Sequence, residues 1–158
     1  CGFGFPGGPA IQKISEGGDP DKVNLPRPKT SNKFDYSFSG LKTAAVYFLQ
    51  GLTDDDKLLK KDFAASYQEA IVDSLMNIYE KAVTETGVTN LSGGGGVMAN
   101  TRLREKIQTF AEKNDKNLYL PSPKLSTDNA AMICVAAKNN LTTNEMNIED
   151  IRLSSVIS

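Results

Sequence analysis

Three short stretches of this chain carry residues whose types and spacing could do chemistry. The first is the run Gly93-Gly94-Gly95-Gly96, followed directly by Val97-Met98-Ala99-Asn100. Glycines let a backbone approach a ligand closely, and a helix starting just after them aims free N–H groups and a positive dipole at an anion. The run lacks the lysine of a P-loop and the spacing of a dinucleotide fingerprint, so a plain turn is its bland alternative. The second stretch is Ser126-Thr127-Asp128-Asn129 at the start of a helical segment. Asp128 there either complements the helix dipole or stands free to ligate a hard or borderline cation. The third is Pro6-Gly7-Gly8-Pro9, for which a structural turn is the simplest reading.

The elements that must position these stretches are legible in outline. Pro9 suits the first position of a short helix through Ala10–Glu16, which Gly17-Gly18 would end. Prolines at 20, 26 and 28 forbid a continuous helix or a central strand between Asp19 and Lys33. Phe34-Asp35-Tyr36-Ser37-Phe38 alternates aromatic and polar side chains and predicts a strand, after which Ser39 would cap a helix over Leu41–Leu49. Asp54-Asp55-Asp56 opens a long helix to about Glu85, with Leu59, Phe63, Tyr67, Ile71, Leu75, Ile78 and Ala82 on one inward stripe and Gly87 as the stop.

A short apolar piece, Val88–Leu91, leads into the glycine run. A helix over Asn100–Lys113 follows, with Leu103, Ile107, Phe110 and Ala111 turned inward. Asn117–Leu120 reads as a strand stopped by Pro121 and Pro123, and Ser126 or Thr127 caps a last helix to about Asn140. Ile151–Ile157 is a candidate final strand. Strand, glycine loop, helix, strand, helix in that order predicts an α/β domain.

Composition narrows the function classes. The chain has 158 residues, 39% apolar and 23% charged, which suits one folded domain with a real core and excludes a disordered or fibrous class. Its apolar runs fall far short of the ~20 residues needed to span a bilayer. No secretion signal is visible, and Cys1 and Cys134 do not form a disulfide framework, so a cytoplasmic location is the expectation. A net charge of −1 makes the whole chain a poor trap for nucleic acid, and Arg102, Arg104 and Lys106 read as a solvated helix face. Histidine is absent, which removes the commonest metal ligand and general base.

Taken together and in order, four strings carry a resemblance: Pro6-Gly7-Gly8-Pro9-Ala10-Ile11; Phe34-Asp35-Tyr36-Ser37-Phe38-Ser39-Gly40-Leu41-Lys42-Thr43; Gly95-Gly96-Val97-Met98-Ala99-Asn100 with Leu103-Arg104; and Thr127-Asp128-Asn129-Ala130-Ala131-Met132-Ile133. The series resembles the C-terminal part of the bacterial TsaD, or glycoprotease, family of tRNA N6-adenosine threonylcarbamoyl transferases, up to about residue 140. That resemblance implies a helix-rich portion, with a small sheet, of an actin/Hsp70-like (ribonuclease H-like) ATPase lobe. The N-terminal lobe and first strands would be missing, with a helical region over 1–86 and a nucleotide and metal half over 87–158. It implies transfer of a threonylcarbamoyl group from threonylcarbamoyl-adenylate to the N6 amine of the adenosine beside the anticodon in tRNA. Gly8, Gly95, Gly96 and Asn100 match positions beside the nucleotide, ATP included. Asp128 matches the catalytic carboxylate that ligates iron or zinc. A paralogous pseudo-enzyme subunit and a small ATPase are the implied partners besides tRNA, with no membrane.

Departures from the pattern matter. The family's histidine pair, an aspartate upstream of the Pro-Gly-Gly segment and the phosphate-binding glycines of the second lobe have no counterpart here. One carboxylate is short of the three protein ligands usual in catalytic zinc sites, so this chain alone is expected to bind metal weakly and turn over nothing. Gly93 and Gly94 replace residues that form strand in relatives, which predicts a looser strand. Ser126 stands where cysteine is common, and the tail after Ile151 matches nothing. Two other readings are a noncatalytic nucleotide-binding scaffold paralogue, against which the Thr127-Asp128-Asn129 string stands, and a metalloendopeptidase, which lacks an HExxH-type motif.

Overall fold

A computed structural model of the chain describes residues 4–53 and 56–140. The elements, in order, are α1 (Gly7–Ser15), α2 (Ser39–Gln50), α3 (Lys57–Thr86), β1 (Asn90–Ser92), a 3-10 turn (Gly96–Ala99), α4 (Thr101–Lys113), β2 (Asn117–Tyr119), a second 3-10 turn (Pro123–Leu125) and α5 (Ala130–Asn140). The chain divides into two units, Cys1–Thr127 and Asp128–Ser158. Among the described residues no helix is long and apolar enough to cross a membrane.

In the first unit α3 is the spine. The sequence predicts one inward stripe, but Phe63, Ala64, Ala65, Ser66, Ala70, Val72, Ser74, Met76 and Val83 are all buried, whereas of the expected stripe Phe63 alone is fully so. The reason is that α3 packs on several sides at once, and its run of small residues lets neighbours approach. Toward its start, Phe63 joins Val23, Leu25, Leu41, Ala45 and Ala70, with Phe48, Phe63 and Tyr67 stacked at ring centroid spacings of 5.1 and 5.7 Å. Further along, Val72 and Met76 meet Met98, Leu103 and Ile107 of the glycine loop and α4, and Val83 meets Leu91 and Ala111. Full burial of an aliphatic or phenyl side chain stabilises by about 1.5–3 kcal/mol, so these clusters dominate the fold's energetics. Gly87, at φ 66°, closes α3 as predicted, its N–H donating to the Val83 carbonyl at 3.0 Å.

The proline-rich stretch before α2 is held to α3 by polar contacts. Ser66 Oγ accepts from Val23 N–H at 3.1 Å and donates to the Asp19 carbonyl at 3.2 Å, Asp62 Oδ1 accepts from Asp19 N–H at 2.9 Å, and Arg27 pairs with Asp73 at 2.8 Å. Residues 34–38 are not a strand. They run into α2 with no ladder partner among the described residues, and Phe34 and Tyr36 are exposed. Alternation of aromatic and polar side chains was the wrong period to trust here, because neither face has a sheet to lie on. Ser39 is the first residue of α2 and not its side-chain cap; its carbonyl accepts from Thr43 Oγ1 at 3.0 Å.

Strands β1 and β2 pair in parallel, Leu91 opposite Leu118, with α4 as the crossover, so the expected strand–glycine loop–helix–strand unit is present. Gly93 directly follows β1. Its N–H donates to the Tyr119 carbonyl at 3.4 Å, and a Cβ there would lie 2.8 Å from Met98 Cε and 3.1 Å from Leu120 Cδ2, so Met98 occupies the room a side chain would need. In the second unit, Asn129 Oδ1 accepts from Met132 N–H at 3.1 Å at the start of α5. Ser126 is buried and donates to the Ser122 carbonyl at 3.2 Å. Asp54 and Asp55, and the candidate strand Ile151–Ile157, lie outside the described residues.

Candidate functional site

Three of the residues singled out in the sequence come together. Gly8 of α1, Gly96 of the 3-10 turn and Asn100 at the start of α4 line one cavity of about 530 Å³, closed on its apolar side by Ile71, Val72 and Leu75 of α3 and Leu103 of α4. Such a volume suits a small organic ligand, and the lining has the usual mix of apolar wall and few polar groups. A Cβ added at Gly8 meets no atom within 4 Å, so the protein leaves open space above that residue instead of filling it. Gly95 borders the turn at φ 85° and ψ 167°, a backbone that only glycine adopts without strain, and its carbonyl accepts from Met98 N–H at 3.0 Å.

A chain of side-chain amides fixes the polar wall. Asn100 Oδ1 accepts from Leu103 N–H at 2.9 Å, the N-cap bond of α4, while Asn100 Nδ2 donates to Gln68 Oε1 at 2.9 Å. Gln68 Nε2 in turn donates to Ser15 Oγ at 3.1 Å, and Ser15 Oγ donates to the Gln12 carbonyl at 2.7 Å. Gln12 Oε1 accepts from Thr101 N–H at 3.1 Å. The sequence predicts a helix start offering free N–H groups to an anion. Two of those groups, on Thr101 and Leu103, are instead taken by Gln12 and Asn100, so the wall presents amide side chains more than bare helix N–H. Gln12 and Gln68 were missed in the sequence because a glutamine on a helix carries no local signal; only the fold brings them to Asn100.

The charged cluster read as a solvated face is structural. Arg102 forks onto Glu69 at 2.8 and 2.9 Å, Lys106 bridges Glu69 at 2.6 Å and also pairs with Asp73, and Arg104 donates to the Met98 and Pro121 carbonyls at 3.0 and 2.8 Å. This seam locks α4 against α3 and the loop, and so fixes where Asn100 stands. The Arg102 guanidinium beside Glu69 holds that carboxyl down to about 2, against the opposing pull of burial. Burial alone would lower the Lys106 ammonium, but its bonds to Asp73 and Glu69 raise it instead.

Asp128 opens the second unit, so the geometry of Gly8, Gly96 and Asn100 is described without it. Among the described residues no group of three or more His, Cys, Asp or Glu side chains is placed to hold a metal ion.

Comparison with known proteins agrees with the motif series. The family model for tRNA N6-adenosine threonylcarbamoyltransferase matches residues 1–135. The chain belongs to that family. Among its curated relatives, the tRNA N6-adenosine threonylcarbamoyltransferase of Thermosipho africanus is 45% identical over 136 residues, covering 85% of this chain and 41% of the relative. That of Fervidobacterium nodosum is 42% identical over 149 residues, covering 91% and 44%. In Thermodesulfovibrio yellowstonii the identity is 40% over 160 residues, covering 98% and 46%. The chain therefore spans less than half the length of the relatives it matches.

Proposed function

We propose that this chain supplies the nucleotide-holding half of a tRNA N6-adenosine threonylcarbamoyltransferase, and that its cavity takes the adenosine end of threonylcarbamoyl-adenylate. What carries the reading is the convergence of Gly8, Gly96 and Asn100, remote in sequence, on one cavity walled by apolar side chains and amides. Among the described residues no charged side chain lines that cavity. An uncharged planar group with ring acceptors therefore fits it better than a phosphate. Asn100 retains one Nδ2 hydrogen after its bond to Gln68, and Gln12 retains its Nε2 donors, so N–H groups remain to offer to ring or ribose acceptors. Gly8 and Gly95 keep the backbone low where the ligand would lie.

In the proposed reaction the N6 amine attacks the carbonyl of the threonylcarbamoyl group, the new C–N bond forms, and the bond to the adenylate phosphate breaks. The mixed anhydride is already activated, so the contribution of this chain is to hold the adenylate still and aligned, the positional part of catalysis. The α3–α4 seam serves that purpose by preventing Asn100 from shifting. Asp128 stays in the proposal as a ligand for iron or zinc, on the strength of the Thr127-Asp128-Asn129 string. A metal bound there would polarise the carbonyl. One carboxylate does not make such a site, however, so the residues described here do not fit a resident metal by themselves, and no step is assigned to it. The lobe of an actin-like ATPase remains the proposed setting, supported by the parallel β1–α4–β2 unit. The paralogous subunit and small ATPase remain the proposed partners.

The test is NMR titration of the chain with adenosine. Shifts concentrated on the Gly8, Gly96 and Asn100 amides, at an affinity near millimolar (about −4 kcal/mol), are expected for half of a cleft. Shifts scattered over the surface, or none at those three, would overturn the site.

A further inference from the structure

The aromatic stretch Phe34-Asp35-Tyr36-Ser37-Phe38, which opens the second family-like string, does not line the cavity. The structure gives it a different setting. Residues 27–37 border a groove of about 650 Å³ against α3, lined by Arg27, Lys29, Lys33 and Lys81 with Asp35 as the acid among the lining side chains, and by Tyr36. Two of the cations are already engaged: Arg27 with Asp73 at 2.8 Å, and Lys33 with Glu85. Lys29 and Lys81 have no acidic partner among the described residues. Asp35 is occupied by Asn32 Nδ2 at 2.6 Å. Beside the cations stand exposed aromatic rings: Phe34 is 45% exposed with Lys33 Nζ 5.6 Å from its centroid, and Tyr36 is 48% exposed. One side of the Tyr36 ring stacks on Phe38, at 6.4 Å between centroids, and the remainder of the ring is open to water.

We infer that this groove binds a single-stranded segment of RNA, with Lys29 and Lys81 on phosphates and Tyr36 stacked on a base. This deepens the transferase reading and rests on it for the identity of the polyanion as tRNA. Cations along a groove with an exposed ring beside them are the combination that holds single strands, because each base has a face to stack and each phosphate a charge to neutralise. Duplex RNA buries those faces, which leaves it only the charge contacts. The net charge of −1 for the whole chain does not oppose this, since the acids of α3 nearest the groove are spent on Arg27, Lys33 and Lys106.

The probe is a fluorescein-labelled twelve-nucleotide single-stranded RNA (length about that of a loop with flanks), with the same strand annealed to its full complement as a blunt duplex control, followed by anisotropy. Lys29→Glu with Lys81→Glu is expected to weaken single-strand binding by at least ~10-fold and to flatten its salt dependence by roughly 1.4, two phosphates at about 0.7 each. Tyr36→Ala should cost about 5- to 150-fold on the single strand and leave the blunt duplex unchanged. Tyr36→Leu, which keeps the apolar bulk, guards against a folding defect and should weaken binding similarly. Adenosine titration of the same variants should match the parent. No RNA binding by the parent chain, equal binding by the charge-reversed variant, or equal loss on strand and blunt duplex for Tyr36→Ala would each overturn the groove. Preserved RNA binding with no adenosine shifts at Gly8 and Asn100 would sink the cavity reading and leave the groove standing.

Discussion

The cavity and the groove are built from the same helix by opposite means. The cavity has an apolar wall, and its polar atoms are largely committed to one another through Asn100, Gln68, Ser15 and Gln12. The groove has lysines without acidic partners among the described residues, and a half-exposed tyrosine ring. A site whose polar groups are internally satisfied is rigid and selective for a neutral shape. One with uncommitted charge is permissive, and reads charge and stacking more than shape. A tRNA-modifying transferase needs one of each: a fixed seat for the activated acyl donor and a tolerant track for a long polyanion.

The sharpest way to break the contrast is at Asn100. Asn100→Leu removes both the cap and the amide wall, so adenosine shifts should vanish, and the melting transition should fall by the equivalent of about 0.5–2 kcal/mol from the cap alone. Next is Gly8→Val. Because a Cβ there meets no protein atom, the melting temperature should hold while adenosine affinity falls at least ~10-fold; a large loss of stability would mean that Gly8 serves the fold and not the ligand. Salt separates the two sites more gently. Raising it from ~50 to ~200 mM should leave adenosine affinity within about two-fold while it weakens RNA, since a neutral ligand releases no counterions; parallel losses would put charge in the cavity.

The smallest effect expected is on pH. Glu69 has its folded pKa depressed from 4.5 to about 2, so its pairing with Arg102 stabilises the fold fully above ~4.5 and is lost as pH falls from there toward ~2. Glu69→Gln should flatten that part of a stability-against-pH curve measured by urea melts, and leave the curve above pH 5 the same shape. An unchanged acid limb would remove the seam from the account of how Asn100 is held.

Much of the first unit was legible from sequence. The end of α3 at the Gly87 stop, the span of α4 and the two short strands on either side of it follow from local chemistry, in periodicity, glycine and prolines, whereas the parallel direction of their pairing comes from the fold. What failed is what depends on neighbours. Phe34–Phe38 alternates as a strand does, yet a strand needs a partner, and periodicity cannot say whether one is at hand. The stripe on α3 was drawn one-sided because a heptad-like reading does not count alanines and serines as buried, although Ala64, Ala70 and Ser66 are among its most deeply buried residues. Arg102 and Lys106 were read as solvated because their partners, Glu69 and Asp73, lie more than thirty positions away. At the site, Gly8, Gly96 and Asn100 were named from motif resemblance, and glycine spacing alone would not have joined them. Gln12 and Gln68 belong to no motif and became visible only as neighbours.

The length of α3 has a last consequence. Gln68, Ile71, Val72 and Leu75 face the cavity, while Ser74, Asn77, Ile78 and Lys81 face the groove. The second set repeats the first displaced by six positions, which on an α-helix is about 9 Å along the axis and roughly 120° around it. The offset between cavity and groove is thus a matter of helical phase, like two notches cut in one rod. Because Leu75 of the cavity lies beyond Ser74 of the groove, the notches interleave, and a residue inserted between Val72 and Ser74 would turn Leu75 about 100° away from Gln68, Ile71 and Val72, disturbing the cavity as it rotates the groove.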